Sequence, residues 1–426
     1  MTTRTAEVWL PLDGNSGIPG AYSRVGMLYA NSARGGITAS FRYDPEWLGH
    51  PRAYSFDPAY PLGSGTQHHP AGGFAGAFSD AQPDRWGRGI ILRDRRARGL
   101  AAPDELDLLL GIDDELRMGA LRFTEPGSRE FLTQGSRDSG RRIPPLTELA
   151  HLARLSERAE ADPAFDDLRA LAEAGSSLGG ARPKVNVIDT DGTLSIAKFS
   201  SIGDDLSTIA WEHVALHLAG RAGIRTPKHR LLHIGGRPVL LMERFDRVHS
   251  KTIGATDKTG ISQRIPYIST MTLLRQTDGN SSSYAEIAEE LTVPADRREL
   301  FRRAVLGLLI GNTDDHLRNH GLLRLNGAWR LSPAFDINPG TQKHQHATAI
   351  SPLGPDAIET LLDSSDSFSL TREAALASLS AVIDATRSWR EEATRARIPA
   401  TEHALLAGVF ESKHLEAARQ AVRGPR

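Results

Sequence analysis

The chain contains no cysteine. That one absence excludes disulfides, iron–sulfur clusters, thiolate zinc sites and a cysteine nucleophile. Nor is there an excess of either charge: 51 Lys and Arg stand against 52 Asp and Glu, a formal net charge of -1. A protein that holds nucleic acid by bulk charge is thereby excluded, though a local basic patch is not. No uncharged apolar run approaches the roughly 18 residues of a spanning helix, and the longest apolar stretch, near Ala304–Ile310, has the length of a core segment. Met1–Leu12 carries Glu7 and lacks an apolar signal core, so a cytoplasmic protein with no membrane partner is expected. Internal repeats and low-complexity segments are also missing. What is present is ordinary globular usage, 39% hydrophobic and 24% charged over 426 residues, ample for a large buried core in two or three domains.

The first 80 or so residues alternate in short runs, Ala6–Leu12, Arg24–Ala30 and Ile37–Tyr43, bounded by turn residues, which predicts a small β-rich portion. Helical signals follow. Asp84–Gly99 sets Trp86, Ile90, Ile91 and Leu92 on one side with arginines around the rest, and its arginines read as a solvated face. Further helices are expected at Pro103–Leu110, Pro144–Ala161 and Ala164–Ala174, with a polar surface loop over Pro126–Arg142. The character changes at Gly175. A glycine-rich loop precedes a hairpin, Lys184–Asp189 and Thr193–Phe199, turning at Asp191-Gly192. A helix over Leu206–Arg221, a hairpin at Lys228–Ile234 and Pro238–Phe245, and a polar loop at Ser250–Gln263 come next. Helices dominate from Tyr284 to Ile310 and after Pro352, with a loop at Asn312–Asn319 and a hairpin turning at Asn326-Gly327 between them.

The sharpest chemical signal lies in that loop: Gly311-Asn312-Thr313-Asp314-Asp315-His316-Leu317-Arg318-Asn319. Asp314 and Asn319 are five apart, the interval between base and metal-binding Asn in a kinase catalytic loop. An aspartate must orient the substrate hydroxyl proton, while an amide oxygen a turn later holds a magnesium. Past the Asn326-Gly327 hairpin comes Pro333-Ala334-Phe335-Asp336-Ile337-Asn338, where a kinase puts its second metal ligand. Upstream, phosphate oxygens need a cation, and Lys198 lies on the strand after the glycine loop. Glu212 on the next helix is placed to hold that lysine. The apolar run Val239–Met242 leads into Glu243-Arg244-Phe245-Asp246, a candidate link offering backbone groups to an adenine. The Gly175–Gly180 loop is neither a Walker A nor a G-x-G-x-x-G, so only its position before a hairpin suggests phosphate binding. His316 and His320 sit four apart, but Gly311 and Gly321 argue against a helix there and no third ligand is evident, so zinc is not expected. His344 and His346 read as exposed, and Asp315 as a residue that merely solvates the loop.

Five motifs together, Gly-Ser-Ser-Leu-Gly-Gly-Ala-Arg-Pro-Lys (175–184), Ile-Ala-Lys-Phe (196–199), Met-Glu-Arg-Phe-Asp-Arg (242–247), Gly-Asn-Thr-Asp-Asp-His-Leu-Arg-Asn-His-Gly (311–321) and Pro-Ala-Phe-Asp-Ile (333–337), closely resemble the HipA family. Those proteins are serine/threonine kinase toxins of bacterial type II toxin–antitoxin modules. Phe78-Ser79-Asp80 through Pro83-Asp84-Arg85-Trp86-Gly87 is similar to the family's N-terminal signature, so the likeness spans nearly the whole chain. It implies an α/β (α+β) fold of two lobes, protein-kinase-like: a HipA N-terminal region over 1–125, a nucleotide-binding part over 144–245, and a helical catalytic lobe over 246–426. It implies ATP and Mg2+ as cofactors. Asp314 would be the catalytic aspartate, His316 would shape the loop, and Asn319 and Asp336 would bind the metal. Lys198 would contact the phosphates, with Glu212, Gly179, Gly180 and Lys184 also on the nucleotide side, and Glu243, Arg244 and Phe245 would meet the adenine. Ser177 falls where family members autophosphorylate, with Ser176 beside it. Known members act on aminoacyl-tRNA synthetases, stall translation and induce dormancy, held by a helix-turn-helix antitoxin that binds operator DNA. Arg182-Pro183 before Lys184 departs from the best-known pattern. A small-molecule kinase uses a comparable Asp–Asn loop, and an inactive kinase-like co-repressor is the third reading.

Overall fold

The computed structural model describes residues 2–12, 22–33, 36–69, 73–132, 143–175, 180, 182–248, 263–280, 282–340, 346–352 and 354–424. The chain forms two compact units, each assembled from separated stretches: Met1–Ile202, Glu243–Asp278 and Leu322–Ala328 in the first; Gly203–Met242, Gly279–Gly321 and Trp329–Arg426 in the second.

The first unit begins with an antiparallel five-stranded sheet in the order Thr66–His68, Gly36–Tyr43, Tyr22–Ala33, Thr2–Pro11, Arg122–Thr124. Alternation drives its register. Ala6, Val8 and Leu10 point to the buried face, Ala6 stands opposite Leu28, and Leu28 opposite Phe41. Under that face Phe41, Phe56 and Phe78 meet edge to face or tilted, with Phe41 and Phe56 centroids 5.1 Å apart and Phe56 and Phe78 5.5 Å. The Arg85–Ala97 helix follows, N-capped by Asp84, whose carboxylate accepts from the Gly87 N–H at 2.7 Å.

Several sequence expectations shift here. Leu92 is exposed rather than on the apolar side, and the arginines are not a purely solvated face. Arg88 pairs with Glu105, and Arg93 donates to the carbonyls of Ala159, Asp162 and Phe165. Those carbonyls lie in the last turn of the Leu149–Ala161 helix and in the turn after it, and the next helix runs only over Arg169–Ala174. The helix expected from Pro144 starts later, at Leu149, after a 3-10 turn at Leu146–Glu148. Pro145 is held extended, and the Pro144 carbonyl accepts the Ile188 N–H at 2.9 Å. The Lys184–Ile188 and Leu194–Phe199 hairpin forms as expected. Short elements such as Ala77–Asp80 and Thr270–Leu273 carry too few residues for any period to announce them.

The second unit is mostly helical. Its core is the Pro294–Ile310 helix, which has Pro at its first turn and is buried nearly all round over its second half. Trp211 of the Thr208–Arg221 helix packs against Trp389 and Phe410, which stack 4.7 Å apart, and donates its indole N–H to Glu402 at 2.8 Å. Asp296 gathers Arg225, Arg330 and the Leu331 N–H, fixing the chain as it enters 332–338. Among the described residues no helix is long and apolar enough to cross a membrane.

Candidate active site

The Pro294–Ile310 helix stops at Gly311, which adopts φ 63°, ψ 37° and donates its N–H to the Gly307 carbonyl. A Cβ at this position would lie 2.7 Å from Val409 Cγ1 and 2.8 Å from the Gly340 carbonyl oxygen, so conformation and space both demand glycine. The loop then folds on short local bonds: His316 N–H to the Asp314 carbonyl at 3.0 Å, Asn319 N–H to the His316 carbonyl at 2.8 Å. As a result Asp314 is exposed while its neighbour Asp315 and Asn319 are buried. Asn319 Nδ2 donates to the Asp314 carbonyl at 3.1 Å, but its Oδ1, also buried, accepts no hydrogen bond from any described residue. Leaving such an acceptor unmatched costs about 1–3 kcal/mol, a debt that a ligand removes.

The second acidic group reaches the same framework. Asp336 sits at φ 57°, a left-handed conformation uncommon for a side chain with a Cβ. Its Oδ1 lies 3.4 Å from Asn338 Nδ2, and the Asn338 N–H donates to Asn312 Oδ1 at 3.2 Å. The stretch 336–338 is thereby tied to the first residue of the loop, and Asn338 Oδ1 is a second buried amide oxygen unmatched among the described residues. His346, expected to be exposed, is half-buried and donates from Nδ1 to the Asn312 carbonyl at 3.1 Å. Asp314, Asn319 and Asp336 thus belong to one unit and one hydrogen-bonded frame. Carboxylate and amide oxygens are the donor set of a hard cation such as Mg2+, so these residues fit that ion.

Asp315 does not solvate the loop. It is buried, accepts from the Tyr284 hydroxyl, and stands 3.2 Å from His320 Nε2. Burial alone would raise its pKa, but the His320 ring and the hydrogen bonds from His320 and Tyr284 outweigh that and hold it below the usual carboxylate range. Asp315 is therefore the anchor of the loop, and sequence reasoning missed it together with Tyr284, Asn312 and Asn338.

The remaining candidates are placed as follows. Glu212 is fully buried on the Thr208–Arg221 helix of the second unit, and Lys198 is buried in the first, paired in register with Lys184. Lys184 Nζ donates to Asp84 at 2.5 Å in a fully buried ion pair and reaches the Gly180 carbonyl at 3.4 Å. Asp80 likewise accepts from the Ser269 N–H and hydroxyl and from Thr272. The acidic residues of the 78–87 signature are clamps within the first unit. In the 243–247 stretch, Glu243 and Phe245 are half-buried and the Phe245 ring lies 6.3 Å from Tyr267. The Arg244 guanidinium is turned inward, bound to Asp246, Asn186 Oδ1 and the Leu116 and Arg117 carbonyls, and its N–H goes to the Leu194 carbonyl. Ser176, Ser177 and Gly179 lie outside the described residues. His316 is half-buried, with its Nδ1 buried and unmatched among the described residues.

The family model of the HipA-like C-terminal domain matches residues 176–390, half of the chain, and that of the HipA N-terminal domain matches 21–124. The chain belongs to the HipA family. Lys198, the 311–321 loop and Asp336 all fall inside the C-terminal HipA match, and Asp80 and Asp84 inside the N-terminal one. Among solved structures, the Shewanella oneidensis MR-1 toxin–antitoxin system HipA, solved with HipB and operator DNA, aligns with a TM-score of 0.65 at 16% identity. The alignment covers 99% of this chain and 100% of that one, so the expected α/β, two-lobed HipA-like fold holds. A Helicobacter pylori proinflammatory kinase, CtkA, aligns with a TM-score of 0.40 at 14% identity, covering 58% of this chain and 94% of that one. No curated relative matches in sequence.

Proposed function

We propose that this HipA-family chain is an ATP-dependent serine/threonine protein kinase acting as the toxin of a toxin–antitoxin module. The observation that carries the reading is the buried Asn319 Oδ1, unmatched among the described residues, in the frame that also holds Asp314 and Asp336. Asp314, exposed at the bend of the loop, orients an incoming hydroxyl and receives its proton. Its carbonyl is fixed by Asn319 Nδ2, so the two residues keep their spacing while one works and the other holds. Asn319 and Asp336 are the residues that hold Mg2+, which when bound neutralises charge on the transferring phosphoryl group. Lys198 supplies the cation for the ATP phosphates. Glu243 and Phe245 face the adenine. Since the N–H and guanidinium of Arg244 are already used internally, its part is to hold that stretch in place.

Three domains are read on this basis: 1–125, 144–245 carrying the nucleotide site, and 246–426 carrying catalysis. Ser177, or Ser176, is the site of self-modification. The partners are a HipB-like helix-turn-helix antitoxin, operator DNA through that antitoxin, and a protein substrate of the aminoacyl-tRNA synthetase class, in a cytoplasmic setting. The test is incorporation of labelled phosphate by the purified chain with ATP and Mg2+, followed by phosphoproteomics of cells expressing wild type or Asp314→Asn. Label on Ser176 or Ser177 and on a protein substrate, lost in Asp314→Asn, is the expected result. Label that persists in Asp314→Asn removes that residue from its role, and phosphorylation of a small molecule alone would replace this reading with the small-molecule kinase.

A further inference from the structure

Away from that loop, three histidines of the second unit converge. His213 and His217 are one helical turn apart on the Thr208–Arg221 helix, and His229 opens the His229–Ile234 strand. Their ring centroids are 4.6, 5.1 and 5.1 Å apart, and one ring nitrogen from each lies within 4.8 Å of the other two. We infer that His213, His217 and His229 form a binding site for a zinc-class divalent cation, with the fourth coordination position open to water.

The tautomers support it. His229 donates from Nδ1 to the Pro227 carbonyl at 2.9 Å, so its Nε2 carries the lone pair; that atom is buried and has no hydrogen-bond partner among the described residues. A ligating histidine is ordinarily held by such a bond from its other nitrogen. His213 Nδ1 is buried and unmatched in the same way. His217 is the half-exposed member, with Nδ1 3.9 Å from Glu392 Oε2, beyond hydrogen-bond distance. Mere ring packing explains the edge-to-face contacts but not two buried ring nitrogens, His213 Nδ1 and His229 Nε2, that have no hydrogen-bond partner among the described residues. Imidazole nitrogens suit zinc and its neighbours, whereas Mg2+ prefers oxygen, so this site and the oxygen site in the loop take different ions. Bonds of about 2.0–2.1 Å in a tetrahedron bring the nitrogens to roughly 3.3 Å, within reach of small rotamer changes.

Such an ion would clasp the Thr208–Arg221 helix to the strand that follows it. The experiment uses the untagged full chain stripped with EDTA and titrated with Zn2+ by calorimetry. Co2+ serves as an absorbing probe. Expected are one Zn2+ per chain, a rise in Tm on binding, and the visible band of four-coordinate Co2+. His217→Ala, at a half-exposed position that leaves folding intact, should weaken uptake by more than about tenfold, with unchanged circular dichroism; His229→Gln is the second variant. Absence of stoichiometric Zn2+ uptake overturns the site. Equal uptake by both variants does so too, placing the ion elsewhere and leaving the rings as packing.

Discussion

Around Asp246 the carboxylate is fully matched: it takes Arg244 at 2.7 and 2.9 Å, Arg247 at 2.5 Å and the Gly119 N–H at 2.7 Å, all buried, and only Arg247 Nε among these partners lacks a hydrogen bond within the described residues. Around Asp314 the aspartate is exposed and a neighbouring amide oxygen, Asn319 Oδ1, is unmatched among the described residues. Both segments carry an acidic residue in a family motif, and sequence likeness alone treats them equally. Their hydrogen-bond accounts separate them. A cluster closed on itself holds the fold together, because taking one partner away leaves a buried charge uncompensated. A cluster left open has capacity for a ligand.

The comparison can be broken in four ways, from the largest effect down. Asp336→Asn should lower phosphoryl transfer by roughly 10²–10⁴-fold, the scale of a lost charged group at the reaction centre, with the urea midpoint unmoved. Full activity in that variant ends its assignment as a metal ligand. Asp246→Ala should do the reverse and cost about 3–5 kcal/mol of stability by stranding Arg244 and Arg247. An unchanged denaturation midpoint would show that cluster to be idle. Gly311→Ala should cost about 1–3 kcal/mol through its left-handed backbone, on top of the clash with Gly340 and Val409, and should lower activity because the loop begins there. If activity survives intact, the stop does not position the loop.

The smallest effect is a matter of pH. Asp315 has a depressed pKa, so its contribution is present above the ordinary carboxylate value near 3.8 and is lost as pH falls through its folded value. Asp315→Asn should therefore cost about 1–3 kcal/mol at pH 7 and progressively less below about pH 4, as the wild-type carboxyl itself takes a proton. Urea unfolding at both pH values measures this. A penalty independent of pH would mean that shape, not charge, anchors the loop.

Much of the fold was readable because it is local. Alternating runs marked the strands of the first sheet, and Asp191-Gly192 and Asn326-Gly327 marked turns that the chain makes. The interval from Asp314 to Asn319 pointed to the loop on its own. What was unreadable involves partners far apart in the chain: Asp84 with Lys184 across 100 positions, Tyr284 with Asp315 across 31. Neither pair has a spacing signature, so the Asp84–Lys184 ion pair was not foreseen and Asp315 looked like surface.

The amino-acid order by itself settled which chemistries are open, since a chain without cysteine has no thiolate to offer a metal or a substrate. It also settled where helices stop and turns form, because those depend on the few residues at each position. Which of two adjacent aspartates meets solvent, which arginine is spent inside, and which three histidines meet were decided only by tertiary packing. Burial and pairing set the state of a polar group, and both come from neighbours that the chain delivers from a distance.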